Sequence, residues 1–321
     1  MVRTPYIVLL MTSILAGCTG RATLPANGRS DDDDGGRWDR SGLDRPIPDR
    51  LWPTAGWVTI QPDTFLMGSP ESEFCRLENE RLHHVTLSRP YEIGATEVTQ
   101  AAFLHAVGHN PSTFLACGPD CPVDSVDWSS AVVYCNRLSE QAHLDKCYSC
   151  VGDGAQYAFP YDCTVRSEFD GTKGKQIYDC PGYRLPTEAE WERAYRAGGS
   201  SPLFNGPIAS CFTDPLAGAI GWYVGNSGKQ AHPVGTRIPN AWGLYDMAGN
   251  LWEWVNDWYR PDLGGDLVQD PVGPSIAQGK VLRGGAWIGS PGSLRGASRN
   301  QNMRHKTLSF VGFRCARTLP N

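Results

Sequence analysis

The sequence predicts an α+β domain with little regular secondary structure, held together by disulfides. Three observations predict it. Apolar residues recur at helical spacing in only a few stretches, the remaining apolar bursts are short and separated by Gly, Pro and Asn, and ten cysteines remain besides Cys18. No internal repeat is present.

The chain has 321 residues and a formal net charge of −5, with Lys and Arg scattered rather than striped, which argues against nucleic acid as a partner. Arg3 is followed by an apolar run, Tyr6 to Ala16, too short to span a bilayer, and then by Leu15-Ala16-Gly17-Cys18. That pattern resembles a bacterial lipobox. It makes residues 1–18 a signal peptide, Cys18 the lipidated first residue of the mature chain, and the membrane a partner through the anchor. Thr19 rather than Asp after Cys18 points to the outer membrane, on its periplasmic face or at the cell surface. Residues 19–53, rich in Gly, Ser, Arg, Pro and Asp and including Asp31–Asp34, cannot bury enough to fold and read as a flexible linker. Residues 54–321, roughly 270, form one domain.

Trp57–Gln61 and Thr64–Gly68 read as two short strands around Pro62-Asp63, and His84–Leu87 as a third. Adjacent His83 and His84 point to opposite faces of that strand, so they share no metal. A helix runs from Gln100 to about Val107 behind a Thr99 cap. A second follows Trp128, with Ala131, Tyr134, Cys135, Leu138 and Ala142 at helical spacing, so Cys135 faces inward. Residues 145–181 have no apolar period and four cysteines, a stapled insertion. Thr187 and Glu190 form a capping box for a third helix that stops at Gly198-Gly199. Val311–Ala316 reads as one closing strand.

The segment Asn240–Trp258 has Gly243, Gly249 and turn-forming Asn and Asp, so it reads as a structured loop entering a strand. Its four Trp residues, each with about 150–250 Å² to bury, suit the packed floor of a loop-rich domain. The acids and amides between them are hard oxygen donors beside a glycine turn, the chemistry of a calcium site.

In an exported chain an even cysteine count points to disulfides, although Cys147-x2-Cys150 with Cys163 and Cys180 also has the look of a zinc ribbon. Cys117 and Cys121 bracket Gly-Pro-Asp, a turn that a local bond would close. There is no Gly-rich phosphate loop, zincin motif or serine elbow.

Taken in order, Met67–Ser69, Glu97–Thr99, Pro122–Trp128, Tyr183–Trp191, Gly243–Trp254, Leu282–Gly285 and Gly312–Ala316 resemble the formylglycine-generating enzyme, or sulfatase-modifying factor, family. The resemblance covers Trp57 to Thr318. It implies a C-type-lectin-like α+β fold, bound calcium and, in active members, a copper-dependent oxidation of a sulfatase cysteine to formylglycine. It also implies a Cys135–Cys315 disulfide. For calcium it implies ligands from Asp246 and Glu253 with the carbonyls of Gly249 and Leu251, and a second site at Asn226 and Ser227.

Active members carry a serine directly after the Arg-Gly-Gly, then two cysteines; here those positions are Ala286, Gly289 and Leu294. Copper(I) is soft and needs the thiolates, so no copper is expected. The expectation is a non-catalytic binding or structural module of the cell envelope, with Trp252, Trp287, Arg295 and Arg299 lining a cleft for a peptide or glycan. The alternative is a formylglycine-generating oxidase, or a related oxidation using other ligands. Two unpaired thiols side by side in that pocket would overturn the non-catalytic reading.

Overall fold

The structure is a computed structural model describing residues 56–151, 162–265 and 267–320. Cys18, the signal segment 1–18 and the linker 19–53 lie outside the described residues. The strands are β1 (Trp57–Ile60), β2 (Asp63–Met67), β3 (His83–Leu87), β4 (Tyr91–Gly94), β5 (Tyr148–Val151), β6 (Asp162–Val165), β7 (Tyr183–Arg184), β8 (Trp252–Trp258), β9 (Leu267–Gln269), β10 (Lys280–Arg283), β11 (Arg299–Asn302), β12 (Val311–Phe313) and β13 (Ala316–Thr318). The helices are α1 (Gln100–Val107), α2 (Trp128–Gln141), α3 (Glu188–Arg196) and α4 (Pro215–Ile220). The sheets run β1-β4-β13-β7, β11-β10-β8-β12, β2-β3-β9 and β5-β6. Short strands, few helices and much ordered loop match the predicted class.

The first three helices start where the sequence places them, because each has a side-chain cap, and α4, which the sequence reading lacked, starts at Asp214. Thr99 Oγ1 accepts from Ala102 N–H, Asp127 from Ser130 N–H, and the Thr187/Glu190 box closes in both directions at 3.2 and 2.8 Å. Gly108 ends α1 at φ 88°, a left-handed position glycine fills without strain. β8 is buried over nearly its whole length as an inner strand of its sheet. The indoles there have partners: Trp254 Nε1 donates to Val126 O at 3.0 Å, and Trp128 Nε1 to Val255 O at 2.9 Å.

The single closing strand is corrected to two. β12 runs parallel to β8, while β13 pairs with β4 and β7. Between them Arg314 turns its guanidinium into the core toward Glu253, and the chain changes sheet there. The insertion after Asp145 contains the β5–β6 hairpin, in which Cys150 lies opposite Cys163.

Among the described residues four bridges form: Cys75–Cys211, Cys117–Cys121, Cys147–Cys180 and Cys150–Cys163. The zinc-ribbon alternative falls away because its four cysteines are consumed in pairs. The fifth expected pair, Cys135 and Cys315, is brought together in the core with the two sulfurs facing one another 2.6 Å apart and no bond drawn between them. This pair joins α2 to the β12–β13 junction and is no part of the loop carrying Gly289 and Leu294.

Candidate functional site

The loop from Gly284 to Arg295 occupies the place where the resemblance puts a copper centre. It leaves β10 through Gly284 and Gly285, both at positive φ; a Cβ on Gly285 would fall 2.8 Å from Ser293 O, so only glycine fits. Ala286 and Leu294 are fully buried. A Cβ on Gly289 would lie 2.5 Å from Ser293 Oγ. The Cys75–Cys211 bridge packs on this loop, with Cys75 Cβ 3.2 Å from where a Gly292 Cβ would be. The segment carrying Cys75 is fastened a second time. Arg295 Nη1 reaches Glu73 Oε1 at 2.6 Å and Glu80 Oε2 at 2.8 Å, and Nη2 reaches Glu80 Oε1 at 2.6 Å. Burial pushes the Glu73 carboxyl up, and Arg295 opposes it. Apolar filler, a disulfide and a buried ion pair thus take up the space.

That geometry corrects the expected cleft. Trp252, Trp287, Arg295 and Arg299 are each at most 9% exposed, so none can act as an open anchor. Arg299 Nη2 pairs with Glu188 Oε2 at 2.8 Å, and Trp287 Nε1 donates to Ser309 O at 3.1 Å. Trp287 packs edge-on to Phe114 in a small cluster with Ala231 and Leu251, while Trp252 belongs to the main core. The sequence shows aromatic and arginine residues at these positions but not the acids that neutralise the arginines, which lie more than a hundred residues away.

The expected calcium ligands are brought into one region but not into one shell. Glu253 is fully occupied: Arg314 Nε and Nη2 donate to its two oxygens at 2.8 Å each, and Trp191 Nε1 adds a third bond at 2.8 Å. A guanidinium in that position repels a second cation, so Glu253 does not fit as a ligand. Asp246 differs. Its Oδ2 accepts from Gly235 N–H at 2.7 Å, while Oδ1 is buried without a partner. Burial raises the Asp246 carboxyl to about 6. Glu97, absent from the expected site, faces the same centre and accepts from Asn250 Nδ2 at 2.7 Å and Leu251 N–H at 3.0 Å. Burial, then Asp246 and Glu253, push it well above the usual carboxylate range. Its signal was the acid of the Glu97-Val98-Thr99 motif, which looks like a helix lead-in until the loop folds over it. At the second position Asn226 Oδ1 accepts from Tyr223 N–H, and the Ser227 carbonyl takes the His232 Nε2 contact at 2.7 Å, so each oxygen already has one partner. Among the described residues no three His, Cys, Asp or Glu side chains are close enough to hold a metal.

Comparison with known proteins places this architecture. The sulfatase-modifying factor enzyme 1-like domain matches residues 46–319. The chain belongs to that family. Within the family it is 33% identical to the "Chaperone protein LppX" of Paenibacillus barcinonensis over 64% of this chain and 72% of that one. It is 28% identical to the formylglycine-generating enzyme of Streptomyces coelicolor over 82% and 89%. Among solved structures, Treponema denticola variable protein 1 superposes with a TM-score of 0.70 at 32% identity, covering 82% of this chain and 95% of that one. PvdO from Pseudomonas aeruginosa gives 0.63 at 25%, covering 82% and 94%. The sulfatase-modifying-factor fold therefore holds across the domain, and the departures at Ala286, Gly289 and Leu294 sit within an otherwise retained family scaffold.

Proposed function

We propose that this chain is a non-catalytic binding or structural module of the sulfatase-modifying-factor family, attached to the cell envelope through Cys18, with the outer membrane as its location. The observation that carries the reading is the loop at Ala286, Gly289 and Leu294, which offers no thiol and is packed with side chains and the Cys75–Cys211 bridge. Every other described cysteine is bridged except Cys135 and Cys315, which are buried against each other on different elements. That a relative is named a chaperone supports a role without oxidation, while the named formylglycine-generating enzymes support the rival. A structural calcium is part of the proposal: Asp246 supplies the free Oδ1, and Glu253 is left out.

The test is direct. Purified, reduced protein is incubated with copper(I) and a Cys-x-Pro-x-Arg peptide, and the peptide is read by mass spectrometry. Unchanged peptide and weak copper binding are expected; conversion to formylglycine would establish the oxidase instead.

A further inference from the structure

We propose that the outward edge of β1, with the groove beside it, is the binding site of this module, and that its ligand is an extended peptide added as a strand. The inference rests on the binding-module reading above and says where and what it binds.

Two features meet there. Among the described residues β1 is the end strand of its sheet, paired only with β4. The phase of that ladder is fixed by its first bond: Ala95 N–H donates to Gly56 O at 3.0 Å. In an antiparallel ladder bonded pairs alternate, so Val58–Ile93 and Ile60–Tyr91 bond inward, and Thr59 turns its N–H and C=O away from β4. Gly94 N–H, which donates to Cys315 O on the opposite side of β4, has the complementary phase. β1 thus presents Thr59 as an open donor and acceptor, the pairing unit of strand addition.

A groove of about 330 Å³ runs along this segment, lined by Val58 to Asp63, Arg193 and Trp242. That volume holds one or two side chains of a peptide. Its wall is Trp242, with the Arg193 guanidinium stacked 4.7 Å from the ring centroid. Arg193 is 9% exposed, pairs with Asp63 through Nη2 and holds the Trp242 ring in place. A main chain for Thr59 and an apolar side chain for Trp242 together describe an extended peptide. A glycan would use the aromatic wall but leave the strand edge unpaired.

The experiment uses the full domain and a phage library of random dodecapeptides, with a glycan array in parallel. Thr59→Pro deletes the outward N–H without touching the β4 ladder, since an edge strand tolerates proline at such a position. Trp242→Ala removes the wall, and melting temperatures establish that both variants fold. Peptides enriched on the wild type are expected to bind each variant at least about tenfold more weakly. Hydrogen exchange should show the Thr59 amide newly protected on peptide addition, a readout that needs no variant. Peptides that bind the Thr59→Pro protein equally well, with no protection at Thr59, would overturn the groove while leaving the binding-module reading in place. No enrichment, or glycan binding that Trp242→Ala abolishes, would overturn the peptide assignment.

Discussion

Lys280 carries a charge into the core, and its removal should be visible in the pH dependence of stability. Its Nζ donates to Asn256 O at 2.7 Å and sits 4.0 and 4.3 Å from the Trp128 and Trp258 rings, with the residue 3% exposed. Burial lowers its pKa from 10.5 to about 7, against the pull of Asp257. Because the folded pKa lies below the unfolded one, the unfolded chain binds the extra proton between those values, so stability rises with pH from about 7 to about 10. At about 1.36 kcal/mol per pH unit, Lys280 alone contributes about 3 kcal/mol between pH 7 and 9.5. Asp257 has the opposite sign. Burial, then Glu188, raises it to about 7, so stability is fully present below its unfolded value and is lost as pH climbs through 7. The two windows meet near neutrality and predict a local minimum of stability there. Urea unfolding of wild type and Lys280→Met at pH 7 and 9.5 reads this directly. Wild type should gain about 3 kcal/mol across the interval and the volume-matched Met variant should lose that gain. Equal gains in both proteins would refute the assignment of the depressed pKa to a buried Lys280.

Oxidation of the facing thiols Cys135 and Cys315 should close a fifth bridge across 180 residues, worth up to about 5 kcal/mol by chain entropy. Non-reducing mass spectrometry checks it, and two free thiols after air oxidation would count against it. For the proposed calcium, chelation should lower the melting temperature and Asp246→Asn should abolish the difference. A chelator-insensitive wild type would mean that protons on Glu97 and Asp246, both with raised pKa, neutralise the centre instead.

Local signals in the sequence were sufficient for the parts of the fold that depend on neighbouring residues. Thr99 and the Thr187/Glu190 box start helices through bonds spanning three residues, and the structure keeps those starts. The Cys117–Cys121 turn and the indole-rich floor around β8 followed from the same kind of reading. What depended on distant partners was not legible. Arg295 and Arg299 looked like ligand anchors because the acids that hold them, Glu73, Glu80 and Glu188, lie 111 to 222 residues away in the chain. Glu253 looked like a metal ligand for the same reason, since its occupant Arg314 arrives only when the last strand splits. The β1 groove has no motif at all; it arises because Arg193 and Trp242 come from separate elements to stand beside the end strand of a sheet.

The packing of the loop at Gly289 sets an unequal cost on installing sulfur. At 289 only the Ser293 hydroxyl has to turn aside, whereas shortening Leu294 hollows the space it fills against Gly221 and Gly285. The Cys75–Cys211 bridge bears on the same loop through Gly292 and holds its backbone in place. A thiol therefore enters cheaply at one of the two positions and at the other only by emptying part of the core.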